Sequence, residues 1–325
     1  MAVYTQVSPA DLSALLARYD VGTPRACKGI AEGVENSNFL VETSRGQFIL
    51  TLYENRVDVS DLPFFIDLVG HLARAGLPVP AFIADTDGET VQTVAGCPAC
   101  LIAFLNGISP DRPTAQQAHA VGTALGQMHA AWASFKGTRA NSLDRAGWRA
   151  LAERCDRADL EAISNGLAVR IDEELALADA QWPETLPHAP IHADLFPDNV
   201  LMLDGAVTGI IDFYFACHDI RAYDLAVTHA AWCFAPDGTG FDAEVSRALI
   251  CGYRDSFGLS DAEIAALPML ARGACLRFLL TRAYDWIATP ADAMVTRKDP
   301  MAFLRRLDFY RMIMDGAYEN VFAVS

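Results

Sequence analysis

Three oxygen-bearing side chains stand at fixed offsets in Ile191-His192-Ala193-Asp194-Leu195-Phe196-Pro197-Asp198-Asn199-Val200-Leu201 and, just beyond it, Gly209-Ile210-Ile211-Asp212-Phe213. Asp194 and Asn199 fill the pattern H-x-D-x-x-x-x-N, and Asp212 ends the apolar run 207–211. A carboxylate can accept a hydroxyl proton, while an amide and a second carboxylate can hold magnesium on nucleotide phosphates. That is the division of labour in phosphoryl transfer. Each residue alone has an ordinary use: His192 as a core histidine, Asp194 and Asn199 as turn residues, Asp212 as the end of a strand. Their joint spacing among apolar, strand-like runs favours the chemical reading.

The elements that must position them follow from local pattern. The run 207–211 reads as a short buried strand, and Asp204-Gly205 as the turn of a hairpin. Asn199 and Asp212 are then expected at one end of a two-stranded ribbon, with Asp194 on the loop entering it. Upstream, Ser8-Pro9 caps an opening helix whose apolar residues are Leu12, Leu15, Leu16 and Tyr19. A glycine-bearing stretch, 29–38, leads into two antiparallel strands, 39–43 and 47–53, with a loop before or between them that can bring backbone N–H groups to phosphate oxygens. A helix is expected over 60–76, with its stripe at Leu62, Phe65, Leu68, Val69 and Leu72, then three short strands at 82–85, 90–94 and 99–105. Asn106 to Pro113 is the best linker candidate. Beyond it helices dominate: 114–134 from a capping box at Thr114 and Gln117, then 148–155, 160–182, 242–257, 261–286 and 301–318. The expected division is a strand-rich lobe over 1–105 and a helical lobe over 106–325.

Composition bounds the partners. The 325 residues are 52% hydrophobic and 20% charged, an ordinary globular balance, and the formal net charge is -16. A surface this acidic disfavours broad binding to nucleic acid or an anionic membrane, but not a magnesium-masked nucleotide. Eight scattered cysteines, with one lone C-x-x-C at Cys97 and Cys100, read as reduced thiols. Residues 1–8 show no signal-peptide pattern, and no uninterrupted apolar run reaches membrane-spanning length. The expectation is a cytoplasmic protein.

The motifs carry a resemblance. His192-Ala-Asp194 with Asn199, Ile211-Asp212-Phe213 and the segment Asp219-Ile-Arg-Ala-Tyr-Asp-Leu-Ala226 resemble the kinase-like phosphotransferases that include aminoglycoside phosphotransferases, choline kinases and homoserine kinases. Glu32 to Phe39, Phe48 to Glu54, Asp61 to Phe65 and Phe213-Tyr-Phe-Ala-Cys217 are most similar to the homoserine kinase branch. The resemblance implies a protein-kinase-like, two-lobe α+β fold, with ATP and Mg2+ as cofactors and L-homoserine as acceptor. It implies Asp194 as the catalytic base and Asn199 and Asp212 as metal ligands. Gly33, Asn36, Ser37 and Asn38 would cover the phosphates, and Phe104 would lie in the hinge 103–105. His192, Tyr214 and Arg282 would bind the acceptor, with Arg277, Asp285, His229 and Trp232 as further candidates. Asp224 would buttress the loop, and His129 would support it. No nucleic-acid or membrane partner is implied, and the chain would be a monomer or homodimer. Choline, an aminoglycoside or another small alcohol as acceptor, and a nucleotide-binding pseudokinase, are the rival readings.

One departure stands out. Kinases of this fold carry a lysine on the third strand. Here Thr51 holds that place, no lysine lies between Lys28 and Lys136, and the nearest cations in sequence are Arg45 and Arg56. The homoserine kinase branch resembles this chain in having threonine there.

Overall fold

The computed structural model describes residues 5–30, 36–54, 58–289 and 297–323. The chain divides into two compact units: residues 1–107 with 208–214, and residues 108–207 with 215–325. The sequence placed the boundary at 105/106 as a single cut. In the structure the short segment Thr208–Tyr214 returns to the first unit.

The first unit opens with helix α1 (Pro9–Leu16), capped by the Ser8 hydroxyl, which accepts from the Asp11 amide. Strands β1 (Pro24–Ile30), β2 (Ser37–Thr43) and β3 (Gly46–Leu52) follow, then helix α2 (Leu62–Arg74) and strands β4 (Phe82–Ile83), β5 (Val91–Val94) and β6 (Cys97–Ala103). The sheet is antiparallel in the order β1-β2-β3-β6-β4, with β5 also pairing with β6. Alternation explains β2: Ser37, Phe39, Val41 and Thr43 point inward together. Phe39, Val41, Leu50, Leu52 and Leu101 form a core with Leu12, Leu15, Leu16 and Tyr19. Helix α2 buries the five residues of its expected stripe. Each is worth roughly 1.5–3 kcal/mol of transfer free energy, far more than any difference in helix propensity. Strand β1 was not anticipated, because its residues, Pro-Arg-Ala-Cys-Lys-Gly-Ile, are nearly all exposed and carry no apolar alternation.

The second unit contains α3 (Ala115–Trp132), α4 (Arg145–Arg154), α5 (Arg157–Ile163) and α6 (Leu167–Gln181). Strands β7 (His188–Ile191) and β8 (Val200–Leu203) come next. Strand β9 (Ala206–Ile210), in which the chain passes to the first unit, pairs with β8. Then follow β10 (Cys217–Ile220), α7 (Arg221–Trp232), α8 (Ala243–Ser256), α9 (Asp261–Ala288) and α10 (Met301–Met314). The capping box at Thr114 and Gln117 is present. The single helix expected over 160–182 is two helices, because Gly166 adopts φ +79° and starts α6 afresh. Helix α10 stops at Met314, where Gly316 turns left-handed. Helix α7 left no periodic signal, since every residue from Ala222 to Trp232 is buried. By length and composition α9 could cross a membrane, although Arg272 and Arg277 interrupt it; 78% of its most apolar stretch is buried inside the fold, as in a core helix.

Candidate active site

In the second unit, β7 pairs with β10 and delivers the chain to Asp194. The backbone there is held almost atom by atom. The fully buried Asp224 carboxylate accepts from the His192 amide at 2.7 Å and the Ala193 amide at 2.8 Å. His129 Nε2 lies 3.1 Å from the same carboxylate, and its Nδ1 meets the Tyr253 hydroxyl at 2.8 Å. Arg277, buried on α9, donates to the Ala193 carbonyl and stacks over Phe278. The Asp194 amide donates to His192 Nδ1 at 3.2 Å, and Trp232 Nε1 to the Leu195 carbonyl at 2.9 Å. These bonds keep Ala193 at φ +62°, a conformation that costs a non-glycine residue about 1 kcal/mol or more and persists only when its surroundings over-determine it. The outcome is an Asp194 side chain presented half-exposed from a rigid, otherwise buried loop.

Asn199 closes that loop. Its Nδ2 donates to the Asp194 carbonyl at 2.8 Å and to Asp194 Oδ2 at 3.2 Å, so Oδ1 is the atom of this amide with lone pairs to offer a ligand. Asn199 immediately precedes β8. An amide oxygen and a carboxylate are hard donors of the kind magnesium takes, alongside water and phosphate oxygens. Among the described residues no cluster of three or more His, Cys, Asp or Glu could hold a metal by itself.

Electrostatics agree with the geometry. Burial opposes ionisation of Asp224, but the His129 hydrogen bond and charge, with the His192 amide, outweigh it and hold the carboxyl below its ordinary range. Arg282, half-buried on α9, is lowered to about 10 by burial and by Arg306, against the charges of Asp198, Asp299 and Asp194. It stays cationic at neutral pH, feels the Asp194 carboxylate, stacks over Phe303 and donates to the Asp299 carbonyl. The other acceptor candidates fall elsewhere. His192 is fully buried, with its Nδ1 turned to the loop. Arg277 and Trp232 grip loop carbonyls. His229 is a core residue between Tyr310 Oη at 2.6 Å and Ser246 Oγ at 2.8 Å, and burial pushes it down to about 3. Asp285 is exposed in the last turn of α9. A cavity of 730 Å³ lined by Asn141, Trp148, Trp182, His218 and Asp219 lies in this unit, but no loop residue from His192 to Asn199 lines it.

In the first unit, Asp212 is exposed at φ +64°, two residues beyond β9. The Ile210 amide donates to the Pro78 carbonyl at 2.8 Å and fixes the strand leading to it. Tyr214 is half-buried, its hydroxyl 3.0 Å from that of Tyr53 and its ring edge-on to Phe65. Gly33 lies outside the described residues, as does Arg56. Asn36 is buried, and its Oδ1 has no hydrogen-bond partner among the described residues. The Ser37 hydroxyl donates to Glu54 at 2.7 Å, and Asn38 Oδ1 accepts from Thr51 at 2.8 Å. Phe104 is half-buried just beyond β6. Arg45 pairs with Asp20 on the exposed side. Sequence reasoning passed over Tyr53; nothing but its place at the end of an apolar strand marks it.

Comparison with known proteins gives one answer throughout. A profile of the phosphotransferase enzyme family matches residues 26–259. A homoserine kinase of Xanthobacter autotrophicus is 52% identical over 313 residues, covering 96% of this chain and 97% of that protein. A homoserine kinase of Azorhizobium caulinodans is 53% identical, covering 96% and 97%. Among solved structures, an amicoumacin kinase in complex with AMP-PNP, Ca2+ and Ami has a TM-score of 0.68 at 16% identity, covering 98% of this chain and 96% of that one. A spectinomycin phosphotransferase with ADP and spectinomycin has a TM-score of 0.65 at 14% identity, covering 98% of each. At such identities the structural likeness shows the fold: the kinase-like, two-lobe α+β architecture.

Proposed function

The chain belongs to the phosphotransferase enzyme family, and from that premise we propose that it is an ATP-dependent homoserine kinase. The observation that carries the reaction type is the Asp194 loop. Its backbone amides and carbonyls are tied by Asp224, Arg277, Trp232 and Asn199, while its carboxylate stays half-exposed. A positioned carboxylate of this kind contributes about 10²–10⁴-fold as a general base. The acceptor rests on the two bacterial relatives named homoserine kinase, which match over nearly their full length.

In this reading Asp194 orients the side-chain hydroxyl of L-homoserine and takes its proton late in the transfer. A P–O bond forms to that oxygen as the γ-phosphoryl bond to ADP breaks, giving O-phospho-L-homoserine, an intermediate of threonine biosynthesis. Asn199 and Asp212 hold Mg2+, which when bound neutralises charge on the phosphates. Asn36, whose buried Oδ1 has no hydrogen-bond partner among the described residues, belongs to the nucleotide side with Gly33, Ser37, Asn38 and Phe104. Arg282 supplies a cation for the acceptor's carboxylate, supported by its electrostatic reach to Asp194 and by an aromatic face that holds it. His192, fully buried with its Nδ1 accepting from the Asp194 amide, serves the loop rather than the acceptor. All eight cysteines are unpaired thiols, which fits a reducing cytoplasm.

The test is coupled ADP release with L-homoserine, choline and kanamycin at equal concentration. L-homoserine is expected to give the highest kcat/KM. A higher value for either of the others overturns the acceptor, and ATP binding with no transfer to any alcohol overturns the enzyme.

A further inference from the structure

Where the fold normally places a lysine, this chain places a row of neutral hydroxyls. Thr51, on β3, is buried and gives its proton to Asn38 Oδ1 at 2.8 Å. The Tyr214 phenol lies 3.0 Å from the hydroxyl of Tyr53. Tyr53 is 1% exposed, and its amide is fixed to the Pro98 carbonyl at 2.8 Å. The Tyr53 and Tyr214 rings meet edge-on at 5.7 Å, and Phe65 of α2 closes the other edge of Tyr214 at 5.6 Å. These residues all belong to the unit that takes in Thr208–Tyr214.

We propose that Tyr53 and Tyr214 are positioning residues for metal binding: their hydroxyl pair clamps the chain just after Asp212 to the end of β3 and holds that aspartate in its left-handed conformation. The inference rests on the reading of Asp212 as a metal ligand. It reassigns Tyr214 from acceptor contact to anchor, and it brings in Tyr53. The physical logic is substitution. With threonine in place of the β3 lysine, the metal meets more of the phosphate charge, so the geometry of the metal aspartate matters more. A hydroxyl pair fixes that geometry by a hydrogen bond, where an unpaired buried ammonium would be costly.

Losing one buried hydroxyl contact weakens what it positions by about tenfold. Tyr53→Phe and Tyr214→Phe should each raise, by about tenfold, both the Mg2+ concentration for half-maximal activity and the Mn2+ dissociation constant read by electron paramagnetic resonance in the presence of ADP. The double variant should be no worse than the worse single one, because both remove the same bond. The KM for L-homoserine at saturating metal should not move. A raised KM for L-homoserine with unchanged Mn2+ binding makes Tyr214 an acceptor contact and overturns the proposal. So does a collapse of thermal stability in both variants without nucleotide, which makes the pair mere packing. Asp212→Ala separates the two levels. If it leaves Mn2+ binding intact, the reading of Asp212 fails; if it abolishes binding while both Phe variants bind normally, only the hydroxyl clamp fails.

Discussion

Replacing Asp224 by asparagine exchanges one oxygen for an amine and leaves the shape unchanged, so it isolates what the carboxylate does for the catalytic loop. The carboxylate takes two amide protons, from His192 and Ala193, and faces His129 Nε2. An asparagine can accept from one amide; its NH2 then confronts the other. One hydrogen bond to a charged group is lost, roughly 1.5–3 kcal/mol, and a buried N–H is left unsatisfied, roughly 1–3 kcal/mol more. The total, roughly 2.5–6 kcal/mol, is a large part of the roughly 5–15 kcal/mol that holds a typical fold. Relief from burying a charge offsets part of it, so about 3 kcal/mol is the expected net loss. Urea unfolding should show a midpoint lower by about 1 M or more. L-homoserine-dependent ADP release, measured cold where the variant is still folded, should fall at least about tenfold, because the loop that aims Asp194 loosens. The pH dependence gives a second reading. The folded carboxyl titrates below its unfolded value of about 3.9, so its contribution is complete above that pH and is lost as pH falls through the folded value. The variant should therefore have a flatter stability curve below about pH 4 than the parent. An unchanged midpoint together with turnover within about twofold of the parent would refute the claim that Asp224 builds this loop.

Asp194→Asn should cut turnover by about 10²–10⁴-fold while calorimetry finds ATP affinity nearly unchanged; retained turnover removes Asp194 as the base. His229, at about 3 when folded and about 6.5 when unfolded, is buried neutral, so stability present above pH 6.5 drains away as pH falls towards 3. His229→Gln should reduce the slope of melting temperature against pH across that window. Gly122→Ala should destabilise by about 2 kcal/mol or more, since the new Cβ would stand 2.1 Å from the Leu249 carbonyl oxygen and 2.8 Å from the Tyr253 nitrogen, forcing α3 and α8 apart; a thermal melt like the parent's would show that the helices can yield.

What the sequence made legible was whatever local chemistry or periodicity writes down. The cap at Ser8, the stripe of α2, the box at Thr114 and the turn at Asp204-Gly205 all stand where pattern put them. What it hid depends on contacts far along the chain. Helix α7 is buried on every side, so its period is erased, and β1 is exposed along its length, so it never had one. The same holds at the candidate site. The H-x-D-x-x-x-x-N spacing announced Asp194 and Asn199. Arg277 was an acceptor candidate because a carboxylate calls for a guanidinium, and Trp232 because it follows the motif; only the fold shows them holding the Ala193 and Leu195 carbonyls. His229 looked chemical for the same reason and is a core residue.

The return of Thr208–Tyr214 to the first unit has a consequence for how the protein is made. Tyr53 meets Tyr214 across 161 residues of chain. At about 5–20 residues per second on the ribosome, the partner emerges about 10–30 seconds after Tyr53 does. The second unit's first hundred residues, 108–207, are synthesised in that interval. Through it the first unit lacks its closing strap, with the Pro78 carbonyl and the Tyr53 phenol still waiting for partners. Its completion is therefore scheduled by the progress of its neighbour, and a nascent chain halted at residue 107 would be an unfinished product rather than a finished half.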